Sequence, residues 1–178
     1  MTGRDRVFWL VAAVALADYL VMLAWSIPRI SAEAGGMTIF DMRPSGYSFD
    51  EARTFLAALS PEGERFYTDV QHRLDAVYPA LLAVTLGWAI LRLAPTGWGV
   101  WRWPLAASAI PGMVFDYREN DDVARMLAAG PDGITPQMVE AASFHSQAKA
   151  VTTTVSMTIL LVLLALWALR RMRGRPAG

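Results

Sequence analysis

Apolar residues gather into four blocks along the chain, with polar, mixed stretches between them. A helix that crosses a bilayer needs about 20 such residues at 1.5 Å rise each. The spacing predicts four spans, over 7–27, 74–93, 104–120 and 148–169. The third block is apolar only from Trp103 to Phe115, too short to cross unaided. It reaches full length by continuing through Asp116, Glu119 and Asn120. In a helix these fall at i, i+3 and i+4 and share one face, which must be turned toward neighbouring helices.

The segments between blocks carry helix signals of their own. Ser45-Gly46-Tyr47 reads as a turn. Ser48 with Glu51 three residues on makes a capping box. A short amphipathic helix through Leu59 follows, with Ala52, Phe55, Leu56 and Leu59 on one face. Ser60-Pro61 starts another helix that runs into the second span. Asp132-Gly133 reads as a turn, and Thr135-Pro136 restarts the chain. Pro28 is expected to end the first helix, and Pro79 to kink the second by leaving the carbonyl of Asp75 without its donor. The run Val7–Ile27 is longer than a signal-peptide core and reads as a retained helix, although Ala32-Glu33-Ala34 resembles a cleavage site.

Charge orients the blocks. The N-terminus, the turn between spans two and three and the C-terminus carry Arg4, Arg6, Arg92, Arg102, Arg170, Arg171, Arg173 and Arg175, against one acid, Asp5. The segments 29–73 and 121–147 hold nearly all the other acids. Arginine marks the cytoplasmic side, so both termini are expected inside and both long segments outside. The fold class is therefore all-α: an integral membrane antiparallel four-helix bundle, with short amphipathic helices in the two outward-facing segments.

Composition narrows the chemistry. The chain has 178 residues, 54% hydrophobic, which suits a single transmembrane domain over 1–178. The formal net charge is zero and there is no basic tract, so nucleic acid is not expected as a partner. There is no cysteine, and His72 and His145 are the only histidines, so neither thiol chemistry nor a metal site is expected. No cofactor motif, phosphate loop, serine-nucleophile motif or zincin motif occurs. Fifteen arginines against one lysine, with much Ala and Gly, fit a GC-rich bacterial genome. The expected location is the bacterial inner membrane. The expected partners are membrane lipids and a hydrophobic small molecule, with oligomer formation left open.

Orientation sets depth. Asp75, Asp116, Glu119, Asn120 and Lys149 all come to the outer ends of their spans. Thr152, Thr153 and Ser156 lie deeper on the fourth span in register with Lys149, and His145 stands just before that span as a further ligand-binding candidate. Asp18 lies about 13 Å below the outer end of the first. Together these groups would line an outward-facing acidic pocket, a polar funnel reaching mid-membrane. An acid at mid-helix costs about 2.5 to 3.5 kcal/mol on insertion, so Asp18 is expected to face the interior, near Thr153 and Ser156. Lys149 is expected to pair with Glu119, Asp116 or Asp75.

Asp75-Ala76-Val77-Tyr78-Pro79 and Phe115-Asp116-Tyr117-Arg118-Glu119-Asn120, preceded by Gly46-Tyr47 and Gly63-Glu64-Arg65-Phe66-Tyr67, resemble a family of short four-helix bacterial membrane proteins. The resemblance implies four spans and brings no activity with it.

Three functions fit this pattern. In an enzyme acting on a lipid-like or isoprenoid substrate, Asp116 would be the acid, Asp75 or Glu119 the base or charge stabiliser, and Lys149 the electrostatic tuner. Tyr78, Trp88 and Tyr117 would line the site or steady a cation. In a binding or transport protein the same carboxylates would take a cation or carry protons, with Asp18 as relay. In a structural subunit the cluster would only fix helix register.

Overall fold

The computed structural model describes residues 2–173, and these are helical almost throughout, with no strand among them. Five helices form rather than four. They are α1 (Gly3–Glu33), α2 (Phe49–Ala58), α3 (Pro61–Leu93), α4 and α5 (Pro136–Arg173). α4 is laid down in two pieces, Arg102–Ala107 and Ala109–Gly133, joined through Ser108, whose own dihedrals are helical. Besides the four long helices, α2 is the short amphipathic helix expected in the first outer segment. It starts at the Ser48–Glu51 capping box, where the Ser48 N–H donates to Glu51 at 2.7 Å. Arg175, counted in the terminal arginine cluster, lies outside the described residues.

Three sequence expectations are corrected. α1 does not stop at Pro28 but runs on to Glu33. The turn before it, Met22–Ser26, is a π-turn in which the Ile27 N–H reaches back five residues to Met22. That wider ring accommodates the proline. Secondly, α4 does not end at Asn120. Val123, Met126 and Leu127 continue its helical spacing and are buried, so it runs on to Gly130, whose φ of +68° breaks the helix before a last turn ending at Gly133. Thirdly, the second outer segment, expected to carry a short amphipathic helix, is filled by the outer end of α4, that single turn and the start of α5. Of the four expected spans, α1, α3 and α5 are long and apolar enough to cross a membrane. α4 falls short because its outer half is charged.

Consecutive long helices are antiparallel, as their side-chain pairs show. From one end to the other, α1 meets α3 through Asp5–Arg92, Phe8–Trp88, Tyr19–Tyr78, Ser26–Gln71 and Glu33–Ser60. α3 meets α4 where Arg102 donates to the Leu91 carbonyl and, far above, where Asn120 donates to that of Asp75. α4 meets α5 through Ser108–Ser156 at one level and Asp122–His145 at another.

Two layers result. The arginine-rich end holds a small core of Ile90, Ala94, Ala106 and Leu163. The other end is covered by a cap whose core includes Ile39, Phe40, Phe55, Tyr67, Val123, Met126 and Val139. Phe40 and Phe55 pack edge-on with ring centroids 4.7 Å apart, and each such buried side chain contributes about 1.5 to 3 kcal/mol. Between these ends the outward faces of α1, α3 and α5 are apolar and exposed, with Trp9, Leu10, Val84 and Leu161 at half or more of their full exposure. An apolar belt of that extent marks a surface built to be covered.

α4 and α5 approach closely at Gly112, where any Cβ would lie 2.7 Å from the Thr153 hydroxyl. Small residues of this kind let membrane helices meet backbone to backbone. Gly112→Leu is expected to destabilise the protein by about 1 to 3 kcal/mol through overpacking. Gly97→Ala, with nothing within 4 Å of its site, should leave thermal unfolding in detergent unchanged. Equal melting temperatures for the two variants would contradict this packing.

Candidate functional site

Where the cap meets the long helices, four of them contribute polar side chains at one level. Pro79 makes the first link. It lacks an N–H, so the carbonyl of Asp75 loses its intrahelical donor. Asn120 Nδ2 of α4 donates to that carbonyl at 3.3 Å, and Tyr117 Oη donates to the next one, Ala76, at 3.0 Å. The interrupted ladder of α3 is thus completed by α4, which fixes the rotation of the Asp116–Asn120 turn.

That rotation turns Asp116 and Glu119 onto α5. The Lys149 ammonium pairs with Glu119 and lies 3.7 Å from Asp116. All three are withdrawn from solvent: the side chain of Glu119 is fully buried, while Lys149 and Asp116 keep 18% and 14% exposure. Ser146, one turn before Lys149, donates to the other oxygen of Glu119. The ion pair expected at Lys149 is present, and Glu119 is the partner.

Asp75 joins from the α1 side through a π-turn. At Tyr67–Gln71 the helix widens, with the His72 N–H bonding back to Tyr67. This turn faces the π-turn of α1, so Gln71 and Ser26 meet in the interior. Ser26 Oγ donates to Gln71 Oε1 at 2.5 Å, and Gln71 Nε2 donates to Asp75 at 2.8 Å. π-turns recur at functional sites because they re-aim side chains that a regular helix would place elsewhere.

The cap supplies the lid. Gly46, at φ +81°, approaches α5 so closely that a Cβ would collide with Ser143 and Gln147. This contact holds Tyr47 over the cluster, and its backbone N–H donates to Ser143 Oγ at 2.9 Å. The Tyr47 hydroxyl is buried without a hydrogen-bond partner. Burial, then the neighbouring Glu119 and Asp41 carboxylates, push that hydroxyl well above the usual phenol range, so it remains a donor. Asp41 accepts from Tyr67 Oη at 2.5 Å.

Other expected residues lie elsewhere. His145 is one turn above Lys149 and pairs with Asp122 at 2.6 Å. Thr152 donates to the Ala148 carbonyl of its own helix, and Ser156 to the Ser108 carbonyl of α4. Asp18 does not reach Thr153 or Ser156. α1 packs on α3, so Asp18 sits half-buried near Tyr78 with one carboxylate oxygen buried and unpartnered. Tyr78 itself stacks on Tyr19, ring centroids 5.7 Å apart. Trp88 packs on Phe8 at the arginine-rich end, about 20 Å along α3 from Asp75.

The cap lies over the acidic cluster, with Tyr47 bonded to Ser143, where a funnel opening outward is expected. Beneath Asp116, between Pro79, Leu86, Gly112 and Thr153, is a space of about 10 Å³, room for about one water. Among the described residues no group of three His, Asp or Glu side chains is arranged to hold a metal ion.

Sequence reasoning missed Ser26, Asp41, Gln71 and the placement of Tyr47. The hydroxyl stripe was within reach, because Ser146, Lys149, Thr153 and Ser156 fall at i, i+3, i+7 and i+10 on one helical face. The π-turns were not, since no residue pattern announces them.

The fold and site define an all-helical protein, with three helices long and apolar enough to cross a membrane and an acid–amine cluster closed beneath a cap. No family model, curated protein or solved structure matches the chain.

Removing the amine leaves the buried carboxylates uncompensated, so Lys149→Met should cost about 3 to 5 kcal/mol. Adding Glu119→Gln should restore part of that loss, with a coupling of about 1 to 3 kcal/mol in a double-mutant cycle. A coupling of zero in thermal or denaturant unfolding would show that the pair contributes nothing to the fold.

Proposed function

We propose that this chain is an integral membrane protein of the bacterial inner membrane that binds a cationic-headed, lipid-like ligand at the cap-covered acidic cluster in exchange for protons. The observation that carries this reading is the charge balance of the buried cluster. Asp116 and Glu119 face one ammonium, and Asp75 lies at the same level bonded to Gln71, so the three carboxyl groups outnumber the ammonium by two before Asp41 is counted. Charge withdrawn from water has to be paired or neutralised. A proton, or the cationic head of a ligand, completes the balance, and one can replace the other. The apolar faces around the cluster and the aromatic ring of Tyr47 above it favour an organic cation.

In this reading α4 lies in the bilayer as a fourth span despite its carboxylates. Its outward residues Ile110, Val114 and Tyr117 are exposed and follow helical spacing, while Asp116 and Glu119 point inward. Both termini are then cytoplasmic and the cap is outside, as the arginines require. The cap moves to admit the ligand, with Tyr47 as the side chain displaced. Transport across the membrane is less well supported, because the layer below the cluster is the apolar core of Ile90, Ala106 and Leu163. A lipid-transforming enzyme would use Asp116 as acid and Asp75 or Glu119 as base, and also needs the cap to lift, since the space at Asp116 admits only about one water.

Ser45→Cys and Gln137→Cys should label from the outside of intact cells, and Thr96→Cys only after permeabilisation. Labelling of either cap position from the cytoplasm alone would overturn the topology.

Decyltrimethylammonium, titrated into the protein in maltoside micelles under weak buffering, should raise the melting temperature saturably and release about one to two protons per chain, matching the excess charge. Both responses should be lost in Asp116→Asn and Glu119→Gln. An unchanged response in these variants would move the site elsewhere. No response in the native protein, with the variants merely less stable, would leave the cluster a structural network.

A further inference from the structure

A second cavity opens at the opposite, arginine-rich end, between the start of α1, the end of α3 and the start of α4. Its volume is about 500 Å³, within the range of small-molecule sites. Three arginines from three separate helices line it, Arg4, Arg92 and Arg102, together with Trp88, Trp103 and Thr96. No acidic side chain lines it.

The arginines are unequally committed. Arg92 pairs with Asp5 and lies 5.0 Å over the Phe8 ring, which fixes its guanidinium at the cavity edge. Arg102 donates through Nη2 to the Leu91 carbonyl, while its Nε is buried and has no partner. The guanidinium of Arg102, which lines the cavity, has further N–H donors to offer an acceptor there. Arg4 is exposed on the open side and makes no ion pair among the described residues. Planar guanidiniums converging from several directions match the oxygens of a phosphate group. Trp103, 64% exposed, and the neighbouring Trp101, 72% exposed, stand at the same level. Indoles concentrate where the polar headgroups of a bilayer meet its apolar interior.

We infer that this cavity binds the phosphate diester of an anionic membrane lipid, with Arg102 and Arg4 on the phosphate and Trp88 and Trp103 along the first part of the acyl chains. This inference rests on the chain being embedded in a membrane and is independent of what the acidic cluster does. A basic pocket between helices at the arginine-rich face holds an anionic headgroup better than a neutral one, by roughly five-fold for each arginine close to it.

The test uses the full chain in nanodiscs of phosphatidylcholine containing brominated phosphatidylglycerol or brominated phosphatidylcholine, with tryptophan quenching as readout. The part of the quenching lost in Trp103→Phe reports on the cavity. Brominated phosphatidylglycerol should quench that part at a roughly 25-fold lower mole fraction than brominated phosphatidylcholine, about five-fold for each of Arg102 and Arg4. Arg102→Gln and Arg4→Gln should each reduce the preference by roughly five-fold, while Arg170→Gln, an arginine at the same end but outside the cavity, should preserve it. Arg4 is exposed, so its variant remains informative even if Arg102→Gln disturbs the fold. Equal quenching by the two lipids, or an equal loss of preference in Arg170→Gln, overturns the inference while leaving the membrane reading intact. A response to inorganic phosphate in neutral nanodiscs, together with equal quenching, assigns the cavity to a soluble phosphate and overturns the lipid source. Absence of quenching by either lipid overturns the membrane reading and this inference with it.

Discussion

The structure depends on one ammonium group. Lys149 stands where α4, α5 and the cap converge, paired with Glu119 and 3.7 Å from Asp116. Burying carboxylates near each other is tolerable only where they are paired or neutralised, and Lys149 supplies the pairing for Glu119 and Asp116. Arginine would not serve equally well. Its wide fork demands planar acceptors in fixed directions, while a compact ammonium on a flexible stem reaches two carboxylates one turn apart on α4. This contact ties α4 to α5, where Ser146 also donates to Glu119, and the cap is seated further out on the same helix, at Ser143.

Two interruptions of regular helix geometry bring the remaining groups to that point. Pro79 frees a carbonyl that α4 takes up through Asn120, so a backbone defect becomes an interhelical link. The facing π-turns of α1 and α3 put Ser26 and Gln71 in contact and aim Asp75 inward. In both cases a local loss of regular hydrogen bonding is offset by a contact between helices. The polar level is therefore continuous from α1 to α5, although no single helix carries more than a few of its members.

The two ends of the molecule are chemically opposite. One is a cap with an apolar, aromatic core of the kind found in water-soluble domains, closing over acidic side chains. The other is open, rich in arginine and tryptophan, and holds a cavity lined by guanidiniums. Between them lie exposed apolar faces on α1, α3 and α5. This polarity gives the molecule a direction, with negative groups sheltered at one end and positive groups presented at the other.

The sequence by itself determined the all-helical class, three of the long apolar helices, the Ser48 and Ser60 starts, and the shared face of Asp116, Glu119 and Asn120. These depend on periodicity, capping and hydropathy, which act over a few residues and can be read from neighbours along the chain. It also pointed to Lys149 and its pairing with Glu119, because a lone lysine at the depth of several acids has few other partners. The end of α1 beyond Pro28, the extension of α4 to Gly133 and the separation of Asp18 from the α5 hydroxyls were decided only in three dimensions. Each depends on which helix packs against which: Asp18 misses Thr153 because α1 lies on α3, and Val123 stays helical because the cap covers it. Whether the acidic level opens outward or closes was likewise tertiary. It turns on Gly46 meeting α5 and laying Tyr47 over the cluster, a contact between residues almost a hundred positions apart, with 96 separating Tyr47 from Ser143.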